Sequence, residues 1–252
     1  MRKFKEFLIA VALLAVVATL IYTIHQTTSK RYSKELTKRM TQISPRGGPP
    51  ETIEGLRQAI ALYEDQIERN IREGAQTGVY WKILAMRLAD KPHNMHNEAL
   101  DALERAIHFN SEDSALFYLT GVSAAMVAKS KVGFSAGDLR ERERYFKLSE
   151  NSYLRALEID VTYTRAMYGL GILYIFELEN RAQDGIVQLE RYLQIQASDI
   201  SAMFVLARAY FMIENFTRAI EIYDRIADRT KNKAEKEEAY KNRDFIMGIM
   251  YE

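Results

Sequence analysis

From residue 79 onward the chain repeats one spacing four times. A large residue is followed three places on by an apolar one, then directly by a small one, then three places further by a fourth. The four instances are Trp81-Leu84-Ala85-Leu88, Phe117-Thr120-Gly121-Ala124, Met167-Leu170-Gly171-Tyr174 and Met203-Leu206-Ala207-Tyr210. Downstream of each comes a second pattern: Ala99-Leu103-Ala106, Ser149-Tyr153-Ala156, Gly185-Leu189-Tyr192 and Ala219-Tyr223-Ile226. Steps of three and four place residues on one face of a helix, so each unit reads as two helices with a small residue on each. No valine-rich or alternating run suggests a strand, and the predicted class is all-α. A glycine in a helix interior costs roughly 0.8–1 kcal/mol relative to alanine, so Gly171 calls for a close backbone approach. Its neighbour Gly169 lies in no small column and has no equally specific reading. The pair is not a nucleotide loop, because no strand precedes it and the third glycine of such a loop is absent.

These columns resemble the tetratricopeptide repeat (TPR), in which small residues on the two helices of a unit face one another and let the backbones approach. The resemblance covers residues 79 to about 231. It implies a TPR-like domain over 51–252, a right-handed α-solenoid of about four helix pairs with capping helices and with repeats starting near 79, 115, 165 and 201. The unit starts Trp81, Phe117, Met167 and Met203 are 36, 50 and 36 residues apart, against about 34 in the family. The closing proline of the family pattern is replaced by Ser111, Val161, Ala197 and Lys231, and only the first unit has the tryptophan. Thr52 to Arg72 reads as a lone second helix capping one end, through Ala59, Ile60, Tyr63 and Ile67. A helix over 233–250 caps the other end with a charged first half, or folds into the groove and fills it through Phe245, Ile246, Met247, Ile249 and Met250. The long second unit carries the loop SKVGFSAG, Asp138 as a predicted N-cap, and the charged run LRERERY. That run reads as a second helix extended by about two turns, or as a ridge for a partner.

The first 50 residues differ in kind. Phe7 to Ile24 is an apolar run of 18 residues after Arg2, Lys3 and Lys5, long enough to cross a bilayer. Only a weak cleavage site follows at Thr27-Thr28-Ser29, so residues 1–29 read as an uncleaved anchor with a transmembrane helix at 7–24. Residues 30–50 form a basic stem and a linker, SPRGGPP at Ser44 to Pro50, which no helix tolerates as a group. The short basic tail has the layout of an export signal, which places the large domain across the membrane. The stem is as basic as the tail, so charge bias alone does not decide orientation.

Charge and composition narrow the chemistry. Residues 1–40 hold eight basic and two acidic residues, leaving 27 basic and 32 acidic in the remainder, which argues against nucleic-acid binding. Cysteine is absent, which removes disulfides, thiolate metal sites and cysteine nucleophiles. His93 and His96 near Glu98 lack the spacing of helical zinc motifs, so no metal, cofactor or catalytic residue is predicted and the chain reads as a non-enzyme.

The family resemblance then implies where a partner sits. First helices line a concave groove, and the family's groove positions fall here on Lys82, Met86, Tyr118, Val122, Arg165, Tyr168, Ile172, Phe176, Phe204, Arg208 and Phe211. Tyr168, Phe204 and Phe211 are expected to form a continuous apolar floor. Such a surface suits an apolar or amphipathic protein segment, with Lys82, Arg165 or Arg208 meeting an acidic group. The family's carboxylate clamp for chaperone tails is disfavoured, because Met86 and Gly169 stand where asparagine and a basic residue are expected. The whole looks like single-pass bacterial TPR proteins of the inner membrane with a periplasmic repeat domain, serving as scaffold or assembly factor. Two alternatives are a structural component of a large cell-envelope or motor complex and a cytosol-facing import-type receptor.

Overall fold

The computed structural model describes residues 34–43, 52–131, 133 and 135–251. Within them the chain is all helix: α1 (34–43), α2 (Ile53–Ala89), α3 (His96–Phe109), α4 (Ser114–Ser130), α5 (Ala136–Ile159), α6 (Thr164–Phe176), α7 (Ala182–Ile195), α8 (Ile200–Met212), α9 (Phe216–Arg229) and α10 (Lys233–Tyr251). The chain divides into two compact units, Met1–Glu73 and Gly74–Glu252. The predicted span at 7–24 and the linker at 44–50 lie outside the described residues. Among those described, no helix is long and apolar enough to cross a membrane.

In the second unit α4 packs on α5, α6 on α7 and α8 on α9, with α10 against α9. The small columns are where these pairs touch. A Cβ added at Gly171 would lie 2.9 Å from Cγ of Leu189 and 3.3 Å from the carbonyl oxygen of Gly185. One added at Gly185 would lie 2.5 Å from Ile175 and 2.9 Å from the Gly171 carbonyl oxygen, closer than packed atoms sit. Ala207 and Ala219 are fully buried in the neighbouring core of α6 to α10, with Ile186, Leu189, Met203 and Ile226. Ala85, Ala102, Leu103, Ala106 and Leu116 form a separate cluster around the first pair.

Two expectations are corrected. Thr52 to Arg72 is not a separate capping helix, because Ile53 begins the 37-residue α2, which runs on to Ala89. Between Glu73 and Val79 there is no proline, and the isolated glycines do not stop a helix. They face α3 instead: a Cβ at Gly78 would lie 2.8 Å from Cβ of Phe109. The cap of α5 is Ser135, not Asp138. Its hydroxyl accepts from the Asp138 N–H at 3.1 Å and donates to the Asp138 carboxylate at 2.5 Å, a reciprocal box in which the acid holds the third helical position.

Candidate partner-binding groove

The last turn of α6 and the length of α8 bring four of the expected groove residues to one place. Phe176, Phe204, Arg208 and Phe211 line a cavity of about 440 Å³. α10 supplies the facing wall with Glu238, Asn242, Phe245 and Ile246. The helix therefore bounds this end of the groove and leaves space beside it. It is held to the repeats by Ala239 and Ile246, buried in the α6 to α10 core, and by an ion pair from Arg243 to Asp224 of α9 at 3.0 Å.

Phe204 and Phe211 each pack against neighbouring rings. Phe204 lies 6.0 Å from Tyr223 between ring centroids, and Phe211 lies 5.7 Å from Phe216 and 6.2 Å from Phe245. The Arg208 guanidinium stacks 5.2 Å over the Phe176 ring, so the cation stays exposed while its plane covers an apolar face. Burial, with the Glu238 charge as a smaller contribution, pushes the Tyr223 phenol up and keeps it neutral. The cavity thus has a rigid aromatic floor, one cation and one carboxylate at its rim, and the size of an ordinary ligand site.

The other expected groove residues do not join this cavity. Tyr168 packs on Tyr192 at 5.2 Å and is not part of the floor around Phe204 and Phe211. Tyr118 and Val122 pack on the core of the second and third repeats, Tyr118 lying 6.1 Å from Tyr153 and 5.8 Å from Tyr163. Lys82 is bound by Asp113 at 2.6 Å, so this ammonium is engaged by the N-cap of α4. Met86 and Arg165 are exposed and Ile172 is half-buried.

Sequence reasoning missed the polar and aromatic parts of the second repeat. Glu150 is buried, yet it accepts from Lys147 at 2.8 Å, from Tyr174 at 3.0 Å and from Arg181 at 3.3 Å. Burial pushes its carboxyl up, but the bonds from Lys147 and Tyr174 and the charges of Lys147 and Arg181 outweigh this and hold it below its ordinary value. Tyr174, buried and bound to Glu150, is pushed up to about 12. Gly169 also gains a reason. The Tyr153 ring lies between two glycines, and a Cβ would come within 2.6 Å of it at Gly121 and 2.8 Å at Gly169. The signal was present as a glycine in each flanking helix, but the ring that meets Gly169 comes from the preceding unit, outside the within-unit register.

His96 Nδ1 is buried without a hydrogen-bond partner, and burial pushes its imidazole down. Among the described residues no group of three or more His, Asp or Glu is placed to hold a metal.

By sequence, no family model and no curated protein matches the chain. Solved structures do. A crystal structure of MamA is 16% identical with TM-score 0.52, covering 70% of this chain and 90% of its own. MamA from Desulfovibrio magneticus RS-1, from residue 41 to the end, is 14% identical with TM-score 0.52, covering 69% and 96%. TTC0263 of Thermus thermophilus, described as a thermophilic TPR protein, is 12% identical with TM-score 0.52, covering 83% and 97%. At these identities the likeness concerns the fold alone: the chain has a TPR-like helical-repeat fold.

Proposed function

We propose that this chain is a non-enzymatic scaffold or assembly factor that holds a protein partner in the concave groove. One observation carries the reading: Phe176, Phe204, Arg208 and Phe211, picked from adjacent first helices, meet α10 around one open cavity with an aromatic floor. Aromatic anchors on rigid backing are the usual source of binding energy at such surfaces. The partner is an apolar or amphipathic segment that inserts a large side chain against Phe204 and Phe211 and meets Arg208 with an acidic group. The apolar run at 7–24 would hold the scaffold in a bacterial inner membrane, with the repeats on the periplasmic side.

A photo-crosslinking residue placed at Phe176 or Arg208 tests the groove. Discrete adducts from both positions, and none from Val187 on the second helix α7, are expected. Equal labelling from all three would remove the groove from the proposal. Alkaline phosphatase fused after Pro50 tests orientation separately, and an inactive fusion would reverse it.

A further inference from the structure

The first half of α2 carries an apolar stripe that nothing in the groove reading uses. Ile53, Leu56, Ile60, Tyr63 and Ile67 alternate in steps of three and four, and they are between 42% and 72% exposed. Written as heptads, Ile53 to Glu73 gives three repeats with isoleucine at every a position and Leu56, Tyr63 and Asn70 at d. The period is 3.5 residues, that of a helix paired with another along its length.

The flanking charges select the partner. In a parallel pair of copies Arg57 would face Thr52 and Glu64 would face Ala59, so neither charge would be matched. In an antiparallel pair the layers become Ile60 on the second copy's Tyr63, Leu56 on its Ile67 and Ile53 on its Asn70. Arg57 then faces the second copy's Glu64, and the twofold axis repeats the pair. Both residues are exposed, and among the described residues neither has an ion-pair partner. The polar Asn70 falls at the open ends, where it is cheapest. From this complementarity we infer that Ile53–Glu73 of α2 is a self-association surface, pairing antiparallel with the same segment of a second copy.

The absence of cysteine makes the test clean. Light scattering of the whole chain in detergent micelles, corrected for bound detergent, is expected to give a dimer. Arg57→Glu should weaken dimerisation about tenfold by removing two attractions and adding two repulsions, and adding Glu64→Arg should restore it. Mixed Ile60→Cys and Tyr63→Cys chains should oxidise to the mixed disulfide, with little of either homotypic product. A monomer overturns the inference, as does dimerisation indifferent to Arg57→Glu or a predominant Ile60→Cys homodimer, which marks a parallel pair. A monomer whose Ile60→Cys thiol is shielded from a water-soluble maleimide only in lipid vesicles assigns the stripe to the bilayer. Shielding in the monomer without vesicles assigns it to another part of the same chain.

Discussion

The second and third repeats solve one packing problem by different means. In the third, Gly171 faces Gly185, and two backbones approach with no side chain between them. In the second, the facing places are Gly121 and Ser149, and the Ser149 hydroxyl donates to the Gly121 carbonyl at 2.8 Å. The Tyr153 ring then fills the joint to the next repeat, against Gly121 and Gly169. The third repeat relies on shape alone, whereas the second adds a hydroxyl, a clamped ring and the buried Glu150 beside them. A small column in the sequence therefore marks a close approach without saying what closes it.

The largest effect is expected at Tyr153. Tyr153→Ala should cost about 3–5 kcal/mol, because it empties a joint between two glycines. Gly169→Ala alone should cost about 1–3 kcal/mol, since the new methyl meets the ring. In the Tyr153→Ala background the same change should become neutral or stabilising, by up to the roughly 1 kcal/mol that alanine gains over glycine in a helix. Chemical denaturation of the four variants measures this. Equal cost of Gly169→Ala in both backgrounds would remove the clamp.

The third repeat is tested at Gly185. Gly185→Leu should destabilise by about 3 kcal/mol, near the top of the overpacking range, because its Cβ already conflicts with the Gly171 carbonyl. Thermal unfolding checks it, and a harmless leucine would mean that the helices do not approach here.

Glu150 gives the smaller and pH-dependent effect. Glu150→Gln should cost about 1–3 kcal/mol, through weaker bonds to the buried Tyr174 and to Arg181. The Glu150 carboxyl is held below its ordinary 4.5. Its contribution is complete above that pH and is lost as acid titrates the folded carboxyl. The stability curve of the glutamine variant should thus lie below the parent at neutral pH and converge on it in acid. A constant gap at every pH would assign Glu150 a packing role only.

These differences also separate what was legible in the sequence from what was not. Gly171 could be read because its facing residue, Gly185, lies in the same unit at a spacing that repeats. Gly169 could not, because the ring that needs it comes from the preceding unit. Glu150 sits just after the charged run LRERERY and reads as one more solvated acid until α6 and α7 bring Tyr174 and Arg181 to it. Ser135 and Asp138 are both good caps, and only backbone geometry shows which one begins α5. Register alone places Phe176, Phe204, Arg208 and Phe211 on first helices, and these four line one cavity. For the facing wall, Phe245 and Ile246 were legible as apolar residues of one of two readings, but α10 lies beyond the fourth unit and had no counterpart in register to decide between capping and groove.

If the aromatic cavity binds the partner, the exposed pair Phe176 and Arg208 is where binding can be disturbed with the least effect on the core. Phe176→Ala with Arg208→Glu should reduce capture of the partner crosslinked at the groove by roughly tenfold or more, at about 1–2 kcal/mol for the pair. The melting temperature, measured on the same samples, should change by only a few degrees. Unchanged capture, at any melting temperature, would contradict the claim that this cavity is the binding site.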